Sequence, residues 1–210
     1  MIPEYKPHTP RLKIVDQYIR ELFRDELPVG IKYHDAGHTL HPIRGVVAVA
    51  HRIAVAEGVS EHDRELIVAA AYFHDTGYIR EYGHNEPIAA RMAGRILKLI
   101  GYLPNEIKKI QRMILSTDLR RGPKIHVEKI LCDADLDHLG RADFFKLDQK
   151  LREGRRVRGL DVGDDALWYK NTLKFMKNCK YHTESQQKRR GKGKQKNMDK
   201  LLEKLVKFEK

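Results

Sequence analysis

Apolar residues recur at three- and four-residue intervals along most of the chain, the period of helices that bury one face. Leu12, Val15, Ile19, Leu22 and Phe23 form the first stripe. It follows Thr9-Pro10, a capping side chain with proline in the first turn, and stops before Pro28-Val29-Gly30. A second helix is expected from about Pro42 to Gly58, with Val46, Val47, Ala50, Ile53 and Ala54 facing inward. Between the two, YHDAGHT at 33–39 shows no clear period. The third helix, 61–74, carries Leu66, Ala69, Ala70 and Phe73 at helical spacing and so packs deeply on one side. Ser60 caps it, with Asp63 where a capping box usually has glutamate, and Gly77 stops it just past His74-Asp75.

The same period continues downstream. Ile88, Met92, Ile96 and Leu99 give a buried stripe closed by Gly101, and Pro104 opens a helix through Ile107, Ile110 and Ile114. HVEKILCDADLDHLGRADFF reads as two helices broken near Gly140. A loop, EGRRVRGLDVG, then leads to a helix around Trp168–Lys180, where Trp168, Phe175 and Met176 form an apolar stripe. The last helix covers roughly Glu184–Phe208; Gly191 and Gly193 each cost about 1 kcal/mol relative to alanine, which predicts a break or mobility there. No alternating apolar–polar run is bounded by hairpin turns. The fold class expected is all-α, a helical bundle over 1–183 with a basic helical extension over 184–210.

At 210 residues and 41% hydrophobic the chain suits one domain with a sizeable core. The net charge of +12 changes the picture only once it is located. From Lys174 onward 13 basic residues face four acidic ones, a surplus of +9, which leaves +3 for the 173 residues before. The dense cluster KRRGKGKQK suits a solvated helical face, a phosphate group or nucleic acid. Nucleic acid is not favoured, since no motif for it occurs. Cys132 and Cys179 fit no disulfide or thiolate framework, and Cys132 reads as a small buried residue. The N-terminal stretch lacks an apolar signal core, and no run approaches the ~20 apolar residues of a membrane span. A cytoplasmic protein is the expectation.

Ligand-type residues gather at helix ends. His38 enters the second helix, His74-Asp75 ends the third, and the acidic knot Asp133-Ala134-Asp135-Leu136-Asp137 ends another. Two histidines with carboxylates suit manganese, iron, cobalt, zinc or magnesium, not a thiolate-type structural zinc. His8, His51, His62, His126, His138 and His182 read as ordinary surface or loop residues.

In order, H…HD…D together with the phrases YHDAGHT, AAYFHDTGY, GHNEP, ILSTD and LCDADLDHLGRADFF resembles the HD superfamily of metal-dependent phosphohydrolases, over roughly residues 33–145. YHTESQQKRR in the tail is also similar to members of that group, and the YHxxxH, STD and ADL phrases are similar to its cyclic-nucleotide phosphodiesterase branch. That branch usually has asparagine where Asp35 stands. The resemblance implies one or two divalent metals held by His38, His74, Asp75 and Asp135. It implies His34 as proton donor to the leaving oxygen and Asp133 and Asp137 as supporting or capping groups. It gives His84 a place near a second metal or the phosphate, against the simpler reading of a local hydrogen bond or cap. Asp118 would orient a ligand histidine.

A metal of this kind lowers the pKa of bound water toward ~7 and neutralises phosphoryl oxygens. Arg120, Arg121, Lys124, Arg189 and Arg190 are the candidate anion contacts, by charge and position. The expected activity is hydrolysis of a phosphomonoester or phosphodiester of a nucleotide or nucleotide-like small molecule. The alternatives are a catalytically silent metal-binding module that holds nucleic acid or a regulatory nucleotide through its basic tail, or an oxidative di-iron enzyme, which needs further histidine ligands.

Overall fold

The structure is a computed structural model that describes residues 4–208. The first three residues of the N-terminal stretch, and Glu209 and Lys210 of the basic segment, lie outside the described residues. Among the described residues there are ten α-helices and no strand. They are α1 (Pro10–Glu26), α2 (Ala36–Leu40), α3 (Val46–Ala56), α4 (Glu61–Phe73), α5 (Asn85–Ile100), α6 (Pro104–Ser116), α7 (His126–Asp135), α8 (Phe144–Val157), α9 (Asp165–Asn178) and α10 (Glu184–Val206). Two 3-10 turns, Thr76–Ile79 and Leu136–Gly140, follow α4 and α7. No helix is long and apolar enough to cross a membrane.

Helix α4 is the axis of the bundle. Helices α1, α3, α5, α6 and α7 all pack on it, so Leu66 through Phe73 are buried on every side and not along one stripe only. Four consecutive small residues, Val68 to Ala71, let those neighbours approach closely. Helix α1 is as its stripe predicts: the Thr9 side chain accepts from the Leu12 N–H, and Leu12, Val15, Ile19, Leu22 and Phe23 are all buried. Ser60 caps α4 by accepting from the Asp63 N–H, but the Asp63 carboxylate turns away to Lys109, so only half of a capping box forms. In α5 the buried stripe runs through Ala89, Met92, Ala93 and Leu97, while Leu99 is 82% exposed. The helix is rotated from the expected register, with its alanines on the buried face and α6 its main neighbour.

A second apolar cluster joins Leu136, Leu139, Phe144, Leu173, Met176 and Leu201. It lies where α8, α9 and α10 meet the turn after α7. Helix α8 runs on to Val157, through part of the stretch that reads as loop. Helix α10 is unbroken at both glycines. Gly193 has a packing reason: a Cβ there would lie 2.2 Å from the Gly140 carbonyl oxygen, so only glycine allows α10 to meet that turn.

Polar pairs tie the layers together. Arg11 bridges Glu65 on α4 (2.9 Å) and Glu106 on α6 (3.0 Å), and its guanidinium lies 4.0 Å over the Tyr102 ring. Burial alone would push the Glu106 carboxyl up, yet hydrogen bonds from Arg11 and the Leu103 N–H hold it below the ordinary carboxylate range. Removing the cation with Arg11→Met leaves two buried carboxylates without it and is expected to cost about 3 kcal/mol at pH 7. The check is a lower urea midpoint with unchanged slope. Because the Glu106 value is depressed, this stabilisation is full above the unfolded glutamate value of ~4.3 and fades as pH falls through the folded one. The gap between the two proteins should therefore narrow in acid; equal midpoints at pH 7 would contradict the assignment.

Candidate metal centre and its cavity

Three chain segments deliver the site, each placed by a local feature. Asp35 caps α2 by accepting from the His38 N–H at 2.9 Å, which turns the aperiodic YHDAGHT into one helical turn carrying His38, with His34 just before it. Five residues are too few to show a period, so the sequence pattern missed this helix. His74 is the last residue of α4's hydrogen-bonded frame, and Thr76 locks the following turn by donating to the Phe73 carbonyl at 2.8 Å. Gly77 lies inside that turn and does not act as a helix stop. A Cβ at Gly77 would meet the Asn85 carbonyl oxygen at 2.0 Å, so glycine is what lets the turn lie against the start of α5. Asp135 closes α7.

These devices bring His34, His38, His74, Asp75 and Asp135 together. His38 Nε2 is 3.3 Å from both Asp75 Oδ2 and Asp135 Oδ1. His74 Nε2 is 3.2 Å from Asp75 Oδ2 and 3.7 Å from Asp135 Oδ1. His34 Nδ1 lies 3.0 Å from Asp75 Oδ2, with its ring stacked on Tyr78 at 4.0 Å. Two overlapping groups, His34-His38-Asp75 and His38-His74-Asp135, have donor atoms close enough to hold a cation.

The donor chemistry fits one. His74 Nδ1 carries its proton, because its partner at 2.7 Å is the Ala71 carbonyl, which can only accept. In the neutral ring Nε2 then points a lone pair at carboxylate oxygens. Both His74 Nε2 and His38 Nε2 are shielded from solvent without a hydrogen-bond partner. Lone pairs facing carboxylates repel unless a proton or a cation lies among them. The protein's own fields say the same. Burial would push the His74 imidazole down, but Asp75 and then Asp135 raise it to about 9. Burial would push Asp75 up, yet His74 and His34 hold it well below the carboxylate range. A divalent ion would relieve every one of these contacts together.

The cluster forms one end of a cavity of about 470 Å³. His34, Asp75, Asp135 and Arg120 line the polar end; Leu139, Phe144, Leu147, Trp168 and Phe175 line the other, with Asn171, Thr172 and Arg155 among them. The stripe of α9 is thus core on one edge and cavity wall on the other: Met176 is fully buried, while Trp168 donates to Asp148 at 2.8 Å. Arg120 is held by both Asp118 oxygens and reaches His84 Nδ1 at 3.0 Å. Asp118 therefore orients an arginine, and His84 neither caps α5 with its side chain nor bonds locally but meets that same Arg120, 36 positions away. Arg121 and Lys124 are exposed and do not line the cavity.

Other placements are set by contacts distant in sequence. His138 is no surface residue: its Nδ1 donates to the Asp135 carbonyl, its ring packs edge-on against Tyr33 at 5.3 Å, and burial followed by His38's charge lowers it to about 4. One histidine in an apolar run carries no signal that could have revealed this. Asp133 and Asp137 both turn from the cluster toward α10. Asp133 accepts from the His182 and Thr183 N–H groups and the Thr183 hydroxyl; Asp137 takes Arg190 at 2.7 Å and Gln186 at 2.9 Å. Arg190 is thereby committed to Asp137, and neither it nor Arg189 lines the cavity.

Two outcomes follow from this geometry. Asp133→Ala strands two buried donors, the Thr183 N–H and hydroxyl, and the His182 N–H beside them, and should destabilise the chain by about 3 kcal/mol, seen as a lower urea midpoint with early loss of amide protection in α10. An unchanged midpoint would refute the latch. Manganese at a hundred times its dissociation constant should stabilise the wild type by roughly 2.7 kcal/mol and leave His74→Ala unmoved. Equal stabilisation of both would place the ion elsewhere.

Comparison with known proteins agrees with this arrangement. The family model of the HD domain matches residues 39–139, a segment that holds His74, Asp75 and Asp135 and begins one residue after His38. The match is to the HD domain as such and does not select the cyclic-nucleotide branch. No curated protein and no solved structure matches the chain. Residues 39–139, with a histidine–aspartate pair at the end of the central helix, form an HD domain.

Proposed function

We propose that the protein is a metal-dependent phosphohydrolase that cleaves a phosphomonoester or phosphodiester of a nucleotide or nucleotide-like small molecule. The observation that carries the reading is the aim of two shielded, unpartnered imidazole nitrogens at two carboxylates on the floor of a cavity. The HD domain at residues 39–139 supports it, since proteins with that domain are broadly metal-dependent hydrolases.

His38, His74, Asp75 and Asp135 would hold the divalent ion, manganese, iron, cobalt, zinc or magnesium by donor type. Such an ion supplies Lewis acidity and water of lowered pKa. The remaining work falls to the chain. Arg120, aimed by its bidentate pair with Asp118, presents its guanidinium on the cavity wall where a phosphoryl oxygen would sit. His34 keeps Nδ1 toward Asp75, which leaves Nε2 for the leaving oxygen; the Asp75 carboxylate stabilises the imidazolium that gives up its proton there. Stacking on Tyr78 fixes the ring plane. Leu147, Trp168 and Phe175 would cover the organic half of the substrate, excluding water, with Asn171 and Thr172 as polar contacts.

A screen of nucleotides, cyclic nucleotides and simple phosphate esters with added manganese should give turnover of one class that is absent from Asp75→Ala. No turnover above that variant under several divalent ions would overturn the reading. The proton donor is tested separately. His34→Gln should lose roughly 10²–10⁴-fold on an alkyl phosphate, whose leaving alkoxide needs a proton, and far less on 4-nitrophenyl phosphate, whose leaving group does not. Equal losses on both would remove His34 from that role.

A further inference from the structure

Behind the Asp135 turn, five guanidinium groups meet two carboxylates. Arg141 pairs with Asp143 at 2.6 Å and donates to the Arg44 carbonyl; Arg44 reaches the same Asp143 at 3.5 Å. Arg190 takes Asp137. Arg52, on α3, spends Nη2 on the Ile43 carbonyl at 2.7 Å, while its Nη1 is shielded and has no hydrogen-bond partner. Arg189, half-buried on α10, makes no side-chain hydrogen bond or ion pair among the described residues. The excess is +3, and it is concentrated where α3 and α10 pack together. None of the five lines the catalytic cavity.

Like charges held this closely, with part of their hydration removed, raise the energy of the folded chain unless an anion sits among them. Both arginines without an acidic partner register that cost. Burial and then the charge of Arg189 push the Arg52 guanidinium down to about 10. Arg189 is lowered by burial, with Arg190 and Arg141 repelling it against the pull of Asp137. The groups facing this place are Arg52 from α3, Arg189 and Arg190 from α10, and Arg141 and Asp137 from the segment between α7 and α8. Exposed Lys192 continues the positive face along α10, while Lys188 is paired with Glu184.

We propose that Arg52 and Arg189, backed by Arg141 and Arg190, form a second binding site, separate from the cavity, for a phosphate-type oxyanion. Two planar forks from different helices match tetrahedral oxyanion geometry, which a single lysine stripe does not. The ligand is either a free phosphorylated compound or one phosphate of a nucleic-acid backbone, and the chemistry of recognition is the same. The site stands independently of the proposed hydrolysis.

The test is titration of the full chain with inorganic pyrophosphate, followed by calorimetry, for wild type, Arg189→Gln, Arg52→Gln and Arg120→Gln. Arg189 makes no side-chain hydrogen bond or ion pair that folding would miss, so its variant should keep the wild-type melting point. Wild type is expected to show a binding event that Arg189→Gln and Arg52→Gln each weaken at least about tenfold, while the cavity variant Arg120→Gln retains it. A single-stranded 20-mer RNA added in competition separates the sources. Displacement of pyrophosphate, with affinity falling steeply in salt, assigns a phosphate backbone. Continued pyrophosphate binding with no competition assigns a free anion. Pyrophosphate affinity that is unchanged in both Arg189→Gln and Arg52→Gln overturns the site.

Discussion

Everything near the functional site depends on one electrostatic arrangement: the imidazoles of His38 and His74 aim Nε2 atoms without hydrogen-bond partners at the carboxylates of Asp75 and Asp135 inside the bundle. Unless a proton or a cation lies among them, lone pairs and carboxylates repel. The arrangement persists because each member is fixed from behind: His74 by the Ala71 carbonyl, His38 by the turn that Asp35 caps, Asp75 by the turn built on Thr76 and Gly77. Helix α4 carries two of the four groups and is buried all round, so it has little freedom to relax away from the charge it presents.

The acidic knot after α7 has a division of labour that its sequence does not announce. Asp133, Asp135 and Asp137 alternate, and the 3-10 turn splits their directions. The middle one keeps 24% exposure toward the cavity, while the outer two are consumed by α10. Asn197 adds hydrogen bonds to the Leu139 and Arg141 carbonyls, and Gly193 closes on Gly140. The basic helix is therefore a clamp on the segment that bears Asp135. Of its basic residues, Arg190 is used for that clamp, while Lys192, Lys196 and Lys200 are exposed.

Much of this could be read from the residues. The stripes of α1 and α6, the Gly101 closure and the all-α class rest on period and capping, which local sequence encodes directly. The convergence of His38, His74, Asp75 and Asp135 was legible through ordered motifs, not through spacing, since 36 residues separate His38 from His74. What stayed hidden was tertiary. Leu99 faces outward while Ala89, Ala93 and Leu97 of α5 are buried, and Gly193 of α10 reflects a contact with a turn some fifty residues away. The burial of His138 and the diversion of Arg190 to Asp137 are likewise decided by partners distant in sequence.

The most direct measurement is an anomalous difference map, collected at the manganese edge, from crystals grown with manganese chloride. The account predicts one strong peak within coordination distance of His38 Nε2, His74 Nε2 and both the Asp75 and Asp135 carboxylates. A map with no peak among those four side chains, or with its peak elsewhere in the bundle, would contradict it.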